Sequence, residues 1–108
     1  MLFLVRGEVQ GTVEPTVEFL EASKQTLDLL ADWQRSGKVR AGGVYIGPQG
    51  MCFIVDVADN DELHLAVAGL PAFRYARYEV TPLIPFHRDV EMSLDAALDR
   101  ARAESADS

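Results

Sequence analysis

Few side chains in this 108-residue sequence are equipped to move a proton or grip a charged ligand. His64 can exchange a proton near neutral pH, as imidazole does, while the second histidine, His87, falls in the C-terminal tail and is expected in solvent. Glu79 is a carboxylate in a strand-like run and becomes a general base if it is desolvated. Arg40 stands just before Ala41-Gly42-Gly43, where a guanidinium can hold a carboxylate through two parallel bonds. Arg6 and Lys24 are the alternative cations. Tyr45, Phe73, Tyr75 and Tyr78 offer aromatic walls, and a phenol can donate a hydrogen bond to a ligand oxygen. The plainer readings are a solvated strand-end Arg40, an exposed or interface His64, and a Glu79 paired with Arg77 or Arg40.

Other chemistries find no support. The two histidines, separated among scattered acids, lack metal-ligand spacing. Gly42-Gly43 is not followed by the helix start that a phosphate cradle uses. Cys52, alone on a β-rich run, reads as a small buried hydrophobe with no internal disulfide partner.

The elements that must position these groups follow from periodicity. Leu2–Gln10 opens with four apolar residues in five and ends at Gly11, which predicts a first strand. Pro15 suits a first helical turn and Gly37 the left-handed position after a last one, framing a helix over Glu14–Ser36. At 100° per residue its stripe holds Phe19, Leu20, Ser23, Leu27, Leu30 and Gln34, so Ser23 and Gln34 are expected to face a space between helix and sheet. Within such a stripe a polar group must bond to backbone, water or ligand; a serine bonded to its own helix carbonyl is the plainer case. Val39–Ile46 and Met51–Val57 are strands closed into a hairpin by Gly47-Pro48-Gln49-Gly50. Asp59 and Glu62 make a capping box for a second helix that runs to Pro71. Tyr75–Ile84 is a fourth strand, and Met92–Glu104 a peripheral, alanine-rich helix with a thin apolar stripe.

The order βαββαβ predicts an α+β, ferredoxin-like sandwich with both helices on one face of a four-stranded antiparallel sheet. The opposite face, with Ile54 and its neighbours, is expected to be covered by a second copy. Residues 1–86 are read as the domain and 87–108 as an acidic helical tail. Composition fits one folding unit: 48% hydrophobic and 25% charged. Seventeen acids against ten bases give -7, a field that disfavours nucleic acid and anionic membrane. Six acids against two arginines from Asp89 onward leave -4 of that total in the tail. No cleavable leader and no apolar run of membrane length is apparent, so a soluble, reducing, cytoplasmic setting is expected.

Asp56-Val57, Glu62-Leu63-His64, Leu70-Pro71-Ala72-Phe73-Arg74-Tyr75, Glu79-Val80 and Leu83 resemble the second half of the muconolactone isomerase family. Met1-Leu2-Phe3 and Gln34-Arg35-Ser36-Gly37-Lys38-Val39-Arg40 are similar as well, so the resemblance spans residues 1–85. It implies a dimeric α+β barrel and a double-bond shift in an unsaturated lactone or related acid, without metal or organic cofactor. Such a reaction needs a proton-transfer group, an enolate-oxygen donor and a cation for the substrate carboxylate. His64, Glu79 and Arg40 are the candidates for catalysis; Ser23, Gln34, Tyr45, Phe73 and Tyr78 are the candidates for substrate binding. The partners implied are a second copy or higher homo-oligomer and a small organic acid or lactone. The family carries bulky residues where Ala41-Gly42-Gly43 stands, which implies a wider or differently lined pocket. The alternatives are a cofactor-independent oxygenase or cyclase on the same barrel, and a non-catalytic dimeric binding module.

Overall fold

Alternating large apolar residues make Leu2–Val9 a strand, β1, with Phe3, Val5 and Gly7 buried and Arg6 and Glu8 exposed. A computed structural model describes residues 1–107; Ser108, the end of the expected tail, lies outside the described residues. Three further strands, β2 (Val39–Val44), β3 (Gly50–Asp56) and β4 (Ala76–Leu83), complete an antiparallel sheet in the order β2-β3-β1-β4. Helices α1 (Val17–Ser36) and α2 (Asn60–Ala68) both cover the face that carries Phe3, Val5, Met51, Phe53 and Val55. Leu63, Val67 and Leu70 close the core from α2, and Leu29, Leu30 and Trp33 pack on it from α1. The expected α+β ferredoxin-like sandwich is therefore the fold.

Several local expectations are refined by the hydrogen bonding. The hydroxyl of Thr16 accepts from the Phe19 amide at 3.1 Å, so Thr16 is the N-cap and Pro15 lies outside α1 rather than in its first turn. Gly37 ends that helix at φ 88°, the left-handed position expected for it. Asp59 accepts from the Glu62 amide at 2.8 Å, while the Glu62 carboxylate accepts from Ala58, one residue before the usual capping-box partner. Phe86–Asp89 (α3), a π-helical turn at Val90–Leu94 and Asp95–Asp107 (α4) run on with right-handed helical angles at Val90 and Asp95. This helical stretch starts six residues earlier than expected, and its described side chains through Ala106 are exposed. Among the described residues no helix is long and apolar enough to cross a membrane.

The buried line of α1 is rotated from the predicted stripe. Phe19 and Thr26 are buried, whereas Leu20, Leu27 and Gln34 are exposed. Burying Trp33 against the core in place of Gln34 removes far more apolar surface from water, and this sets the rotation. The rotation also brings Thr26 inward, to 2% exposure, with both sides of its hydroxyl used. It donates to the Ala22 carbonyl at 2.9 Å and accepts from the Ala72 amide at 2.8 Å. Thr26→Val keeps the shape and strands the Ala72 amide, so urea unfolding at fixed protein concentration should record a loss of about 1–3 kcal/mol.

Candidate functional site

Between α1 and the sheet lies a cavity of about 290 Å³. Helix α1 lines it with Phe19, Leu20, Ser23, Thr26 and Leu27, and the sheet with Gly7, Val9, Met51 and Tyr78. Ala72 and Tyr75, beside and within the 3₁₀ turn Phe73–Tyr75, close one end. Phe19 meets the Tyr75 ring edge-on, with centroids 5.0 Å apart. A second cleft of about 200 Å³ adjoins the first through Leu27, Val44 and Met51 and runs along β2, lined by Gln34, Gly42 and Cys52 among others.

Tyr78 is the polar group best placed for chemistry. Its neighbour in register is Gly7, where an added Cβ would stand 2.7 Å from the Tyr78 ring, so the missing side chain is what seats the phenol in the cavity. Phe73 stacks on it at 5.6 Å between centroids and 13° between planes. Burial pushes the Tyr78 hydroxyl above the ordinary phenol range and keeps it protonated at neutral pH. Ser23 also faces the cavity, and its hydroxyl donates to the Phe19 carbonyl at 2.8 Å, which leaves its oxygen lone pairs toward the space.

The other expected site residues lie elsewhere. Gln34 does face the space between α1 and the sheet, as expected, but in the second cleft, and Phe73 touches the cavity indirectly, through Tyr78. Arg40 occupies the irregularity between Val39 and Ala41 and bonds Asp56 at 2.6 Å, which the N-terminal ammonium also contacts at 3.2 Å. Those two cations, Arg40 foremost, hold the Asp56 carboxyl below its usual range. Glu79 stands opposite Arg6 on the sheet face away from the helices. His64 is exposed on α2.

Tyr45 is on that outer face too, because the bulge at Arg40 reverses the alternation of β2. Val39 pairs with the inward Val55, but Ala41 pairs with the outward Ile54, so Gly42 and Val44 turn inward and Tyr45 packs over Gly50. The same bulge accounts for Gly42. A Cβ there would lie 2.6 Å from the Cys52 carbonyl and 2.8 Å from the Phe53 Cα, whereas Gly43 has open space. Glycine at 42 is thus a requirement of strand approach, while Gly42 and Gly43 both line the second cleft.

No charged residue lines the cavity among the described residues. The nearest charges that the lining residues engage are at the rim, where Arg74 contacts Glu18 and donates to the Tyr75 hydroxyl at 2.6 Å. Arg74 belongs to the Leu70–Tyr75 run singled out in the sequence, yet its role becomes visible only when the 3₁₀ turn brings it against the first turn of α1.

The model of the muconolactone delta-isomerase family matches residues 1–89. The chain belongs to the muconolactone isomerase family. Curated family relatives agree: muconolactone delta-isomerase 1 of Acinetobacter lwoffii is 37% identical over 84 residues, covering 77% of this chain and 88% of the relative. The enzyme of Cupriavidus pinatubonensis is 32% identical over 84 residues, covering 77% and 91%. A crystal structure of muconolactone isomerase superposes with a TM-score of 0.69 at 27% identity, covering 79% of this chain and 90% of that one. The 5-chloro-2-hydroxyhydroquinone dehydrochlorinase of Burkholderia phenoliruptrix shares the fold, with a TM-score of 0.59 at 20% identity over 82% and 98% of the two chains. Family membership thus extends through α3, and the helix beyond residue 89 lies outside the family match.

Proposed function

We propose that the protein is a cofactor-free isomerase that shifts a double bond in muconolactone or a related unsaturated lactone, by proton transfer in the cavity between α1 and the sheet. The observation that carries this reading is a protonated phenol, Tyr78, in an uncharged, largely apolar space of lactone size within a muconolactone isomerase family fold. Hydrogen bonding from Tyr78 to the lactone carbonyl stabilises the negative charge that grows on that oxygen, through the conjugated ring double bond, as the ring carbon γ to the carbonyl loses its proton. Returning a proton two carbons away completes the shift, with no net change in composition. Among the described residues the lining holds no carboxylate or imidazole, so the proton acceptor belongs to the rim or to a neighbouring chain. Arg40, Glu79 and His64, all off the cavity of a single chain, are not assigned the reaction here. Absorbance of the migrating double bond, followed with purified protein, should change at a rate proportional to enzyme. A rate equal to the buffer blank would reject the reading.

The uncharged, aromatic lining favours one alternative, oxidation of an electron-rich phenol without a cofactor. Trp33, however, packs on the core under Lys38, 4.4 Å from its ring, and does not join the tyrosines in the cavity. Oxygen uptake with a dihydroxylated aromatic would distinguish this reading from isomerisation.

We also infer that residues 1–86 form the functional domain and that a second copy covers its outer sheet face. Leu2, Leu4, Ile54 and Leu83 are half-buried there, flanked by Arg6 opposite Glu79 and Glu8 opposite Arg77. Such a mixture of apolar area and both signs of charge can meet its own two-fold image. Sedimentation at micromolar concentration should give at least twice the 11.9 kDa chain mass; a lone monomer would contradict it.

A further inference from the structure

Among the described residues the cavity lining lacks a cation, yet a lactone acid of the class proposed above carries a carboxylate. We propose that Arg74 receives that carboxylate at the cavity rim and that Glu18 is its built-in stand-in, displaced when the ligand enters. This inference rests on the isomerase reading and concerns how its substrate is chosen.

Three observations join Arg74 to the cavity. Its guanidinium donates to the Tyr75 hydroxyl at 2.6 Å and lies 4.7 Å from the Tyr75 ring centroid, while that ring is itself part of the cavity wall. Its carboxylate partner, Glu18, immediately precedes the lining residue Phe19, which packs edge-on against Tyr75. The pair is open to solvent, at 63% exposure for Arg74 and 72% for Glu18. An ion pair so exposed is weakly held, so a carboxylate delivered by a ligand whose ring occupies the cavity can replace it at little cost. A guanidinium has enough donors to hold a new carboxylate while keeping its bond to Tyr75. The bond to Tyr75 fixes the fork relative to the wall, which makes Arg74 a specificity group rather than a mobile surface charge. Arg40 and Lys24 are paired too, with Asp56 and with Asp28 at 2.8 Å, but neither pair includes a lining residue, whereas Arg74 bonds the cavity wall at Tyr75.

The proposal gives opposite signs for the two partners. In calorimetric titrations, the wild-type protein, Arg74→Gln, Arg74→Lys and Glu18→Gln would each be offered an unsaturated lactone acid and its neutral methyl ester. Arg74→Gln should weaken the acid by about fivefold at low salt, the reach of one exposed ion pair, and leave the ester unchanged. Arg74→Lys should restore part of the preference, since it keeps the charge without the fork. Glu18→Gln should tighten the acid, because the competing carboxylate is gone, and again spare the ester. Circular dichroism confirms folding of each surface variant. Equal loss of acid and ester in Arg74→Gln, or weaker acid binding in Glu18→Gln, would overturn the proposal while leaving the isomerase reading standing. Failure of the wild type to bind either compound would overturn both.

Discussion

Replacing Tyr78 by phenylalanine lowers kcat by about 10²–10³, the usual cost of removing one donor aimed at a developing oxyanion, with KM little changed. The prediction follows from the seat of the phenol. Gly7 leaves room for the ring, Phe73 stacks on it, and the surrounding lining is uncharged and largely apolar. Tyr78 is half-buried, and Thr26 and Met51 of the same lining are buried, so a hydrogen bond there counts for more than it would at the surface. Because the Tyr78 hydroxyl is raised by burial, it remains a donor throughout the neutral range. Activity should therefore hold on the alkaline side until pH passes the ordinary phenol value of about 10, and the Tyr78→Phe variant should lack that alkaline limb. The linkage to stability has the same sign. A raised folded-state value contributes stability below the unfolded phenol pKa, and that contribution disappears as pH rises through the folded one. Steady-state kinetics of the two proteins across pH check both statements; equal kcat would remove Tyr78 from the mechanism.

Phe53→Ala gives the largest expected loss of stability, about 3–5 kcal/mol. Phe53 lies at the centre of the sheet, paired with Val5 on one side and Gly42 on the other, and is 3% exposed. Val5 and Val55 beside it are fully buried. Truncation would open a cavity beneath the helices that neither neighbouring strand can fill, since β2 already approaches as closely as Gly42 permits. Unfolding in urea at constant protein concentration provides the measurement, concentration being held because self-association would add its own stabilisation. A change below about 1 kcal/mol, smaller than typical for a large buried aromatic, would mean that the core is elsewhere.

The architecture was legible because it depends on coarse signals: strand-length apolar runs, the four-residue turn before Met51, Asp59 as a helix cap and Gly37 as a helix stop. These are local and leave little choice of fold. The site depended on finer phases. Rotating α1 by part of a turn exchanged Gln34 for Trp33 and brought in Thr26, whose partner Ala72 is 46 positions away. No sequence periodicity carries that contact. One extra residue in β2 moved Tyr45 to the opposite face, and Tyr78 remained inward because β4 pairs with β1 without a break. Strict alternation from Val39 would have placed Tyr45 with the buried set. Arg74 lay in plain view within the family-like run, but only the turn Phe73–Tyr75 brings it to Glu18 and the cavity rim.

Proton abstraction from the ring carbon γ to the lactone carbonyl is the central claim, and deuterium incorporation tests it without requiring net conversion. Purified wild-type protein and Tyr78→Phe would be incubated with muconolactone in D₂O and followed by proton NMR. The expected result is enzyme-dependent loss of the signal from that carbon together with migration of the double bond, slowed about a hundredfold or more in the variant. Wild-type protein that leaves the signal at its buffer rate would contradict the account.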